Sequence, residues 1–233
     1  MKIGGYQKLT LIDYTGKLAA TVFTVGCNFR CPFCHNPELV ISSQFTVHDD
    51  DEMEREFFDF LKKRRGILEG LCITGGEPTV QPDIINFIEK VKKLGYSVKL
   101  DTNGARPDVL KKIADKKIVD FISMDIKGSR ENYDKLAGVR VDMNRIDLSV
   151  DLIMNNQIDY EFRTTVVPGM HTEKDFEKIS GWLKGAKKYC LQEYRDIKIL
   201  DPKLKKVTKG KSLDLEKIKK KIEKSFGEVE VRK

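Results

Sequence analysis

At 233 residues, 40% of them hydrophobic, the chain has enough apolar side chains for one substantial core. Its formal charge of +7 raises the question of nucleic acid, but Lys and Arg are interspersed with Asp and Glu, and the clearest basic segment, 203–221, has little aromatic interleaving and reads as a solvated helix face. No apolar run approaches a membrane span, the first residues lack a signal-peptide pattern, and five cysteines are too few for a disulfide framework, so a reducing cytoplasm is the expected compartment.

In chain order, the first predicted strand, 18–25, runs into Gly26-Cys27-Asn28-Phe29-Arg30-Cys31-Pro32-Phe33-Cys34-His35-Asn36. Three soft thiolates on one short loop can hold three corners of a cubane iron–sulfur cluster and leave its fourth iron open to a small molecule. A structural zinc site would want a fourth protein ligand, and no second Cys-x-x-Cys or spaced His pair supplies one. Cys72 and Cys190 read as buried thiols instead. Further strand-like runs follow at 68–74, 96–101, 119–127, 158–167 and 188–194. Between them, stripes such as Met53, Phe57 and Leu61, or Ile84, Ile88 and Val91, recur every three or four residues, as do Ile146, Val150 and Ile153, and Phe176, Ile179 and Leu183. Thr46 with Asp49 and Thr172 with Asp175 read as helix caps, and a Leu215, Ile218 and Ile222 stripe adds an external C-terminal helix.

This order predicts an α/β fold: a partial, open parallel β/α barrel of about six units with a C-terminal helical extension. One domain is expected over 1–233, with a core at about 18–200 and the extension at 201–233. A gap in so short a barrel would admit a protein loop. Strand parity then places Ser97, Lys99 and Asp101, with Phe121, Ser123, Asp125 and Lys127 and with Glu161, Arg163 and Thr165, on faces that point into the lumen. Enclosed charges need a partner or a ligand, so these residues mark either a polar binding cavity or a self-contained ion-pair network. Gly75-Gly76-Glu77-Pro78 follows the second strand and opens on the same rim as the cysteine loop, where backbone carbonyls or Glu77 could accept from a ligand ammonium.

The Cys27-x-x-x-Cys31-x-x-Cys34 spacing, with Phe33 before the last cysteine, resembles the signature of the radical S-adenosylmethionine (SAM) superfamily, and Gly75-Gly76-Glu77-Pro78 looks like its amino-group motif. Gly4-Gly5-Tyr6-Gln7-Lys8, Leu11-Ile12-Asp13-Tyr14 and the cysteine run through Leu39 are similar to activating proteins of anaerobic ribonucleoside-triphosphate reductase. Related features continue through Asp101-Thr102-Asn103-Gly104, Asp125-Ile126-Lys127 and Val166-Val167-Pro168-Gly169, landmarks shared with pyruvate formate-lyase activases.

The resemblance implies a [4Fe-4S] cluster on Cys27, Cys31 and Cys34, with SAM reductively cleaved beside it and a glycyl radical made on a partner enzyme. It implies SAM contacts from Phe33, His35, Gly75, Gly76 and Glu77, then from Asp101, Thr102, Asn103, Asp125, Lys127 and Arg163. A monovalent cation at Asp101, Thr102 and Asp125 is also implied, although Ser123 stands where the formate-lyase activases carry methionine. The expected partners are a glycyl radical enzyme, first of all anaerobic ribonucleoside-triphosphate reductase, and a flavodoxin- or ferredoxin-type reductant, with no nucleic acid and no membrane. Pyruvate formate-lyase activation, a small-molecule radical SAM reaction such as that of 7-carboxy-7-deazaguanine synthase, and a non-catalytic iron–sulfur carrier are the alternatives. His48 reads as a surface residue and His171 as part of a turn.

Overall fold

The structure, a computed structural model, describes residues 1–40 and 50–233. The cap expected at Thr46 with Asp49, and His48, lie outside the described residues. Among those described, one sheet carries eight strands in chain order: β1 (Ile3–Thr10), β2 (Ala19–Thr24), β3 (Gly70–Gly75), β4 (Ser97–Thr102), β5 (Phe121–Asp125), β6 (Asp159–Val166), β7 (Lys188–Glu193) and β8 (Glu228–Arg232). β1 is antiparallel to β2, and every later neighbour is parallel. Because each crossover advances by one strand in the same direction, the helices collect on one face and the sheet curls around the other. The barrel remains open between its two edge strands, β1 and β8.

The six expected strands are β2 to β7, and two edge strands flank them. The C-terminal extension is helical as expected, but it also ends in β8, which pairs with β7. Strand parity holds. Ile122, Met124 and Ile126 are buried against the helical layer, while Ser123 points inward to donate to Glu161.

The helices are α1 (Pro37–Val40), α2 (Asp50–Lys63), α3 (Ile84–Lys93), α4 (Pro107–Asp115), α5 (Tyr133–Ala137), α6 (Met143–Met154), α7 (Glu173–Trp182), α8 (Leu204–Thr208) and α9 (Leu215–Ile222). Their apolar stripes face the sheet; on α3, Ile84, Phe87, Ile88 and Val91 are buried, each contributing on the order of 2 kcal/mol. The Thr172 and Asp175 side chains form the expected capping box on α7, and Asp214 caps α9 by accepting from Lys217 N. None of the described helices is long and apolar enough to cross a membrane.

Candidate functional site

The cysteine loop leaves the C-terminal end of β2 and is fastened at both ends, because Gly26 N donates to Leu39 O at 2.6 Å and Cys27 N to Val40 O at 3.2 Å. Inside it, Arg30 donates to the carbonyls of Cys27 and Phe29, each at 2.7 Å. Arg30 N in turn donates to Ala137 O at the end of α5, so the loop is tied to a neighbouring unit. Phe29 N points at Cys27 Sγ, 3.3 Å away, an arrangement that favours a thiolate there.

Gly75 and Gly76 line the cavity and also let two turns approach closely. A side chain at Gly76 would strike the backbone of Gly26, and one at Gly75, where φ is +116°, would strike Thr24. Gly76 N donates to Thr24 O and Glu77 N to Gly26 O, both at 2.8 Å, so the two turns are bonded back to back.

Glu77 is fully enclosed, and its carboxylate accepts from Thr79 N, Thr79 Oγ1, Thr102 Oγ1 and Asn103 N. Burial pushes its pKa up against the pull of these four donors. The side chain therefore clamps the turn after β3 to the end of β4. Asn103, thus held, donates to Asn28 Oδ1 at 2.8 Å and ties that end to the cysteine loop as well.

Across the lumen runs a chain of alternating charge. Lys99 pairs with Asp101; Arg163 reaches Asp101 at 3.2 Å and Asp125 at 2.6 Å; Lys127 reaches Asp125 at 2.9 Å. Burial alone would raise both carboxyls, yet Lys99 and Arg163 hold Asp101 below the usual carboxylate range, and Arg163 and Lys127 hold Asp125 well below it. With three cations for two carboxylates, the chain carries a surplus positive charge beneath the cysteine loop. A second network lies toward the open edge, where Arg232 forks onto Glu161 at 2.7 and 2.9 Å and onto Glu230 at 2.9 Å, and Lys188 meets Glu230 at 2.8 Å.

Burial pushes the thiol of Cys27 up to about 12 and that of Cys31 to about 11, and raises Cys34 too, so metal uptake here must release protons. Among the described residues, no three His, Cys, Asp or Glu side chains converge as ligands of a single ion do. Thiols set at separate corners of a cluster do not need to. The donor set fits an iron–sulfur cluster: three thiols, an N–H directed at one sulfur, and the Lys127 ammonium, which favours the Cys31 thiolate.

The residues for which the resemblance implied cluster or SAM contacts all line one cavity of about 290 Å³: Cys27, Cys31, Cys34, Phe33, His35, Gly75, Gly76, Glu77, Asp101, Thr102, Asn103, Asp125, Lys127 and Arg163; of the other lumen-parity residues, Thr165 joins them, while Lys99, Phe121 and Glu161 line the neighbouring cavity. A wider cavity of about 780 Å³ shares Asp13, His35, Arg163 and Gln192 with it and opens between the Leu11–Thr15 connection and β7 and β8. His35 uses its ring outward, with Nε2 3.0 Å from Arg195 O and Tyr194 stacked beside it.

His171 does close a turn, accepting from Val167 N at 3.0 Å, but its Nε2 also bonds Lys127 O at 2.9 Å and so fixes the segment carrying Lys127. Cys72 and Cys190 are buried free thiols, as expected, although Cys72 lies on the polar side, 3.8 Å from Lys99 Nζ. Sequence reasoning gave no role to Asp13, Gln192 or Arg232. Asp13 lay within a quoted motif, Gln192 on the polar parity of β7, and Arg232 in a strand too short to be recognised.

The sequence profile of the Radical SAM superfamily matches residues 21–183. A Methanocaldococcus jannaschii protein named as a glycyl-radical enzyme activating enzyme is 32% identical over 99% of this chain and 95% of its own length. The pyruvate formate-lyase-activating enzyme of Clostridium pasteurianum is 25% identical over 98% of each chain. Among solved structures, Streptococcus suis SuiB bound to S-adenosylmethionine gives a TM-score of 0.65 at 16% identity, a likeness of fold alone; the chain spans about half of that protein, covering 90% of itself and 48% of SuiB.

Proposed function

The chain belongs to the radical SAM superfamily, and from that premise we propose that it is an activase that installs a glycyl radical on a partner enzyme. A [4Fe-4S] cluster with SAM supplies, when bound, one-electron cleavage of the sulfonium and a carbon radical able to take the α-hydrogen of glycine. In this reading Cys27, Cys31 and Cys34 hold three corners of the cluster. The surplus charge on Arg163 and Lys127 receives the ligand carboxylate, and carbonyls of the Gly75–Glu77 turn receive its ammonium, since the Glu77 oxygens are already engaged. Phe33 and the backbone about His35 flank the adenine. A monovalent cation would have to compete with Lys99, Arg163 and Lys127, which between them occupy all four oxygens of Asp101 and Asp125.

The observation that carries the activase reading is the wider cavity, which gives the cysteine pocket a lateral mouth where a protein loop can enter to contact distance. The Leu11–Thr15 connection borders that mouth, and its Leu11-Ile12-Asp13-Tyr14 motif is one of the three stretches that resemble activators of anaerobic ribonucleoside-triphosphate reductase, so that enzyme is the proposed partner. Electrons would come from a flavodoxin- or ferredoxin-type protein, in a reducing cytoplasm, with residues 1–233 acting as one unit.

The test is anaerobic reconstitution with iron and sulfide, then mixing with reductant, SAM and candidate partners. Formation of 5′-deoxyadenosine and the paramagnetic glycyl signal are read together, and Cys31→Ala is expected to abolish both. Deoxyadenosine formation with every partner and a glycyl signal with none would overturn the assignment.

A further inference from the structure

The chain's positive charge is gathered in one place. Between 198 and 211 stand six lysines and one aspartate, a surplus of five against +7 for the whole protein. The basic segment read from the sequence as a single solvated face is in fact two surfaces. On α9, Lys217 and Lys221 pair with Glu173 and Glu177 of α7. On and around α8, Lys203, Lys206, Lys209 and Lys211 are exposed, and no ion pair engages them among the described residues, while Leu204 and Thr208 anchor the helix inward.

This second surface is stitched to the outside of the cysteine loop. Asp201 N donates to Pro32 O at 3.0 Å, Lys198 pairs with Glu38 at 2.8 Å, and His35 bonds Arg195 O at 3.0 Å, so contacts fall on both sides of Cys34. The lumen side of the loop faces the cavity where SAM and the glycine loop belong. An electron must therefore arrive from outside, across a protein face that is strongly cationic.

We propose that the Lys198–Lys211 face is the docking site for an acidic, low-potential electron-carrier protein. The inference rests on the radical SAM activase reading and adds to it the place and charge of the donor's contact. One electron leaves the donor and enters the cluster, and no bond is made or broken. Charge complementarity of this kind raises encounter rates steeply and is screened by salt. Nucleic acid is the poorer occupant, because no aromatic residue lies between 198 and 211 on which bases could stack.

The experiment uses reconstituted protein and a photoreduced acidic flavodoxin as probe, with cluster bleaching followed by stopped flow at about 50 and about 200 mM salt. Lys203→Glu/Lys206→Glu/Lys209→Glu is compared with wild type and with Lys219→Glu/Lys220→Glu on α9. The expected result is a fall of about tenfold or more in the flavodoxin-driven rate for the α8 variant only, with loss of its salt dependence. Dithionite-driven SAM cleavage and the cluster spectrum should stay at wild-type level. An unchanged flavodoxin rate, an equal loss in the α9 variant, or a parallel loss with dithionite would overturn the proposal. So would weakened binding of the glycyl radical enzyme with flavodoxin reduction intact. Failure of wild type to take up iron would instead remove the activase reading and this inference together.

Discussion

Two charge networks line the same lumen, and they are built on different principles. The inner one, Lys99–Asp101–Arg163–Asp125–Lys127, has more cations than carboxylates and ends beneath the cysteines. The outer one, Lys188–Glu230–Arg232–Glu161, has no cation to spare, since Lys188 also meets the exposed Glu228 at 3.4 Å, and it is capped by Ser123 at the buried end. A set of enclosed charges with a cation in excess favours an anionic ligand, whereas one whose cations are all matched by carboxylates can serve as wall. The choice between binding cavity and self-contained network, left open by strand parity, is thus weighted differently at each end of the barrel: the inner set has a cation to offer an anion and the outer set has none.

Substitutions can break this contrast, beginning with the largest effect. Asp125→Ala strands Lys127 and leaves Arg163 only its longer pair with Asp101, and is expected to cost about 3–5 kcal/mol in denaturant unfolding, and to weaken SAM binding in equilibrium dialysis. Arg232→Ala leaves Glu161 without its cation but lies nearer solvent, so about 2 kcal/mol is expected. SAM cleavage by the dithionite-reduced variant should match wild type; a loss there would mean that the outer network also serves the ligand.

His171 offers a smaller effect with a pH signature. Burial lowers its pKa below the ordinary 6.5. Below 6.5 the unfolded chain therefore takes up a proton that the folded one resists, so stability is complete above 6.5 and declines as pH falls beneath it. His171→Gln should flatten that slope at a cost of about 1–2 kcal/mol, seen in unfolding midpoints measured across pH. The smallest effect belongs to the outer surface: Glu173→Gln, which releases the solvent-facing Lys217 and leaves Lys221 its pair with Glu177, should leave thermal unfolding unmoved.

What was legible in the sequence was whatever repeats locally. Period-two alternation in β4, β5 and β6 assigned Asp101, Asp125 and Arg163 to one wall correctly, because parity survives errors of a residue or two in strand ends. β1 escaped because Gly4 and Gly5 interrupt it and most of its side chains are half exposed, and β8 because its five residues, Glu-Val-Glu-Val-Arg, carry too little pattern. The task of Glu77 could not be read either. Its partners Thr102 and Asn103 are remote in sequence, so only the fold shows that a side chain lining the cavity also clamps two strands together. The basic segment failed for the same reason, since only the fold reveals which lysines have carboxylates opposite them.

The peptide contact between Gly26 and Gly76 has a consequence for how such a site can be altered. The two turns are one backbone thickness apart and are joined by hydrogen bonds between their amides, so the shape of each depends on the other. An insertion in either would displace both, and anyone transplanting the metal-binding loop onto a foreign parallel sheet would have to graft the neighbouring turn with it as a single inseparable piece.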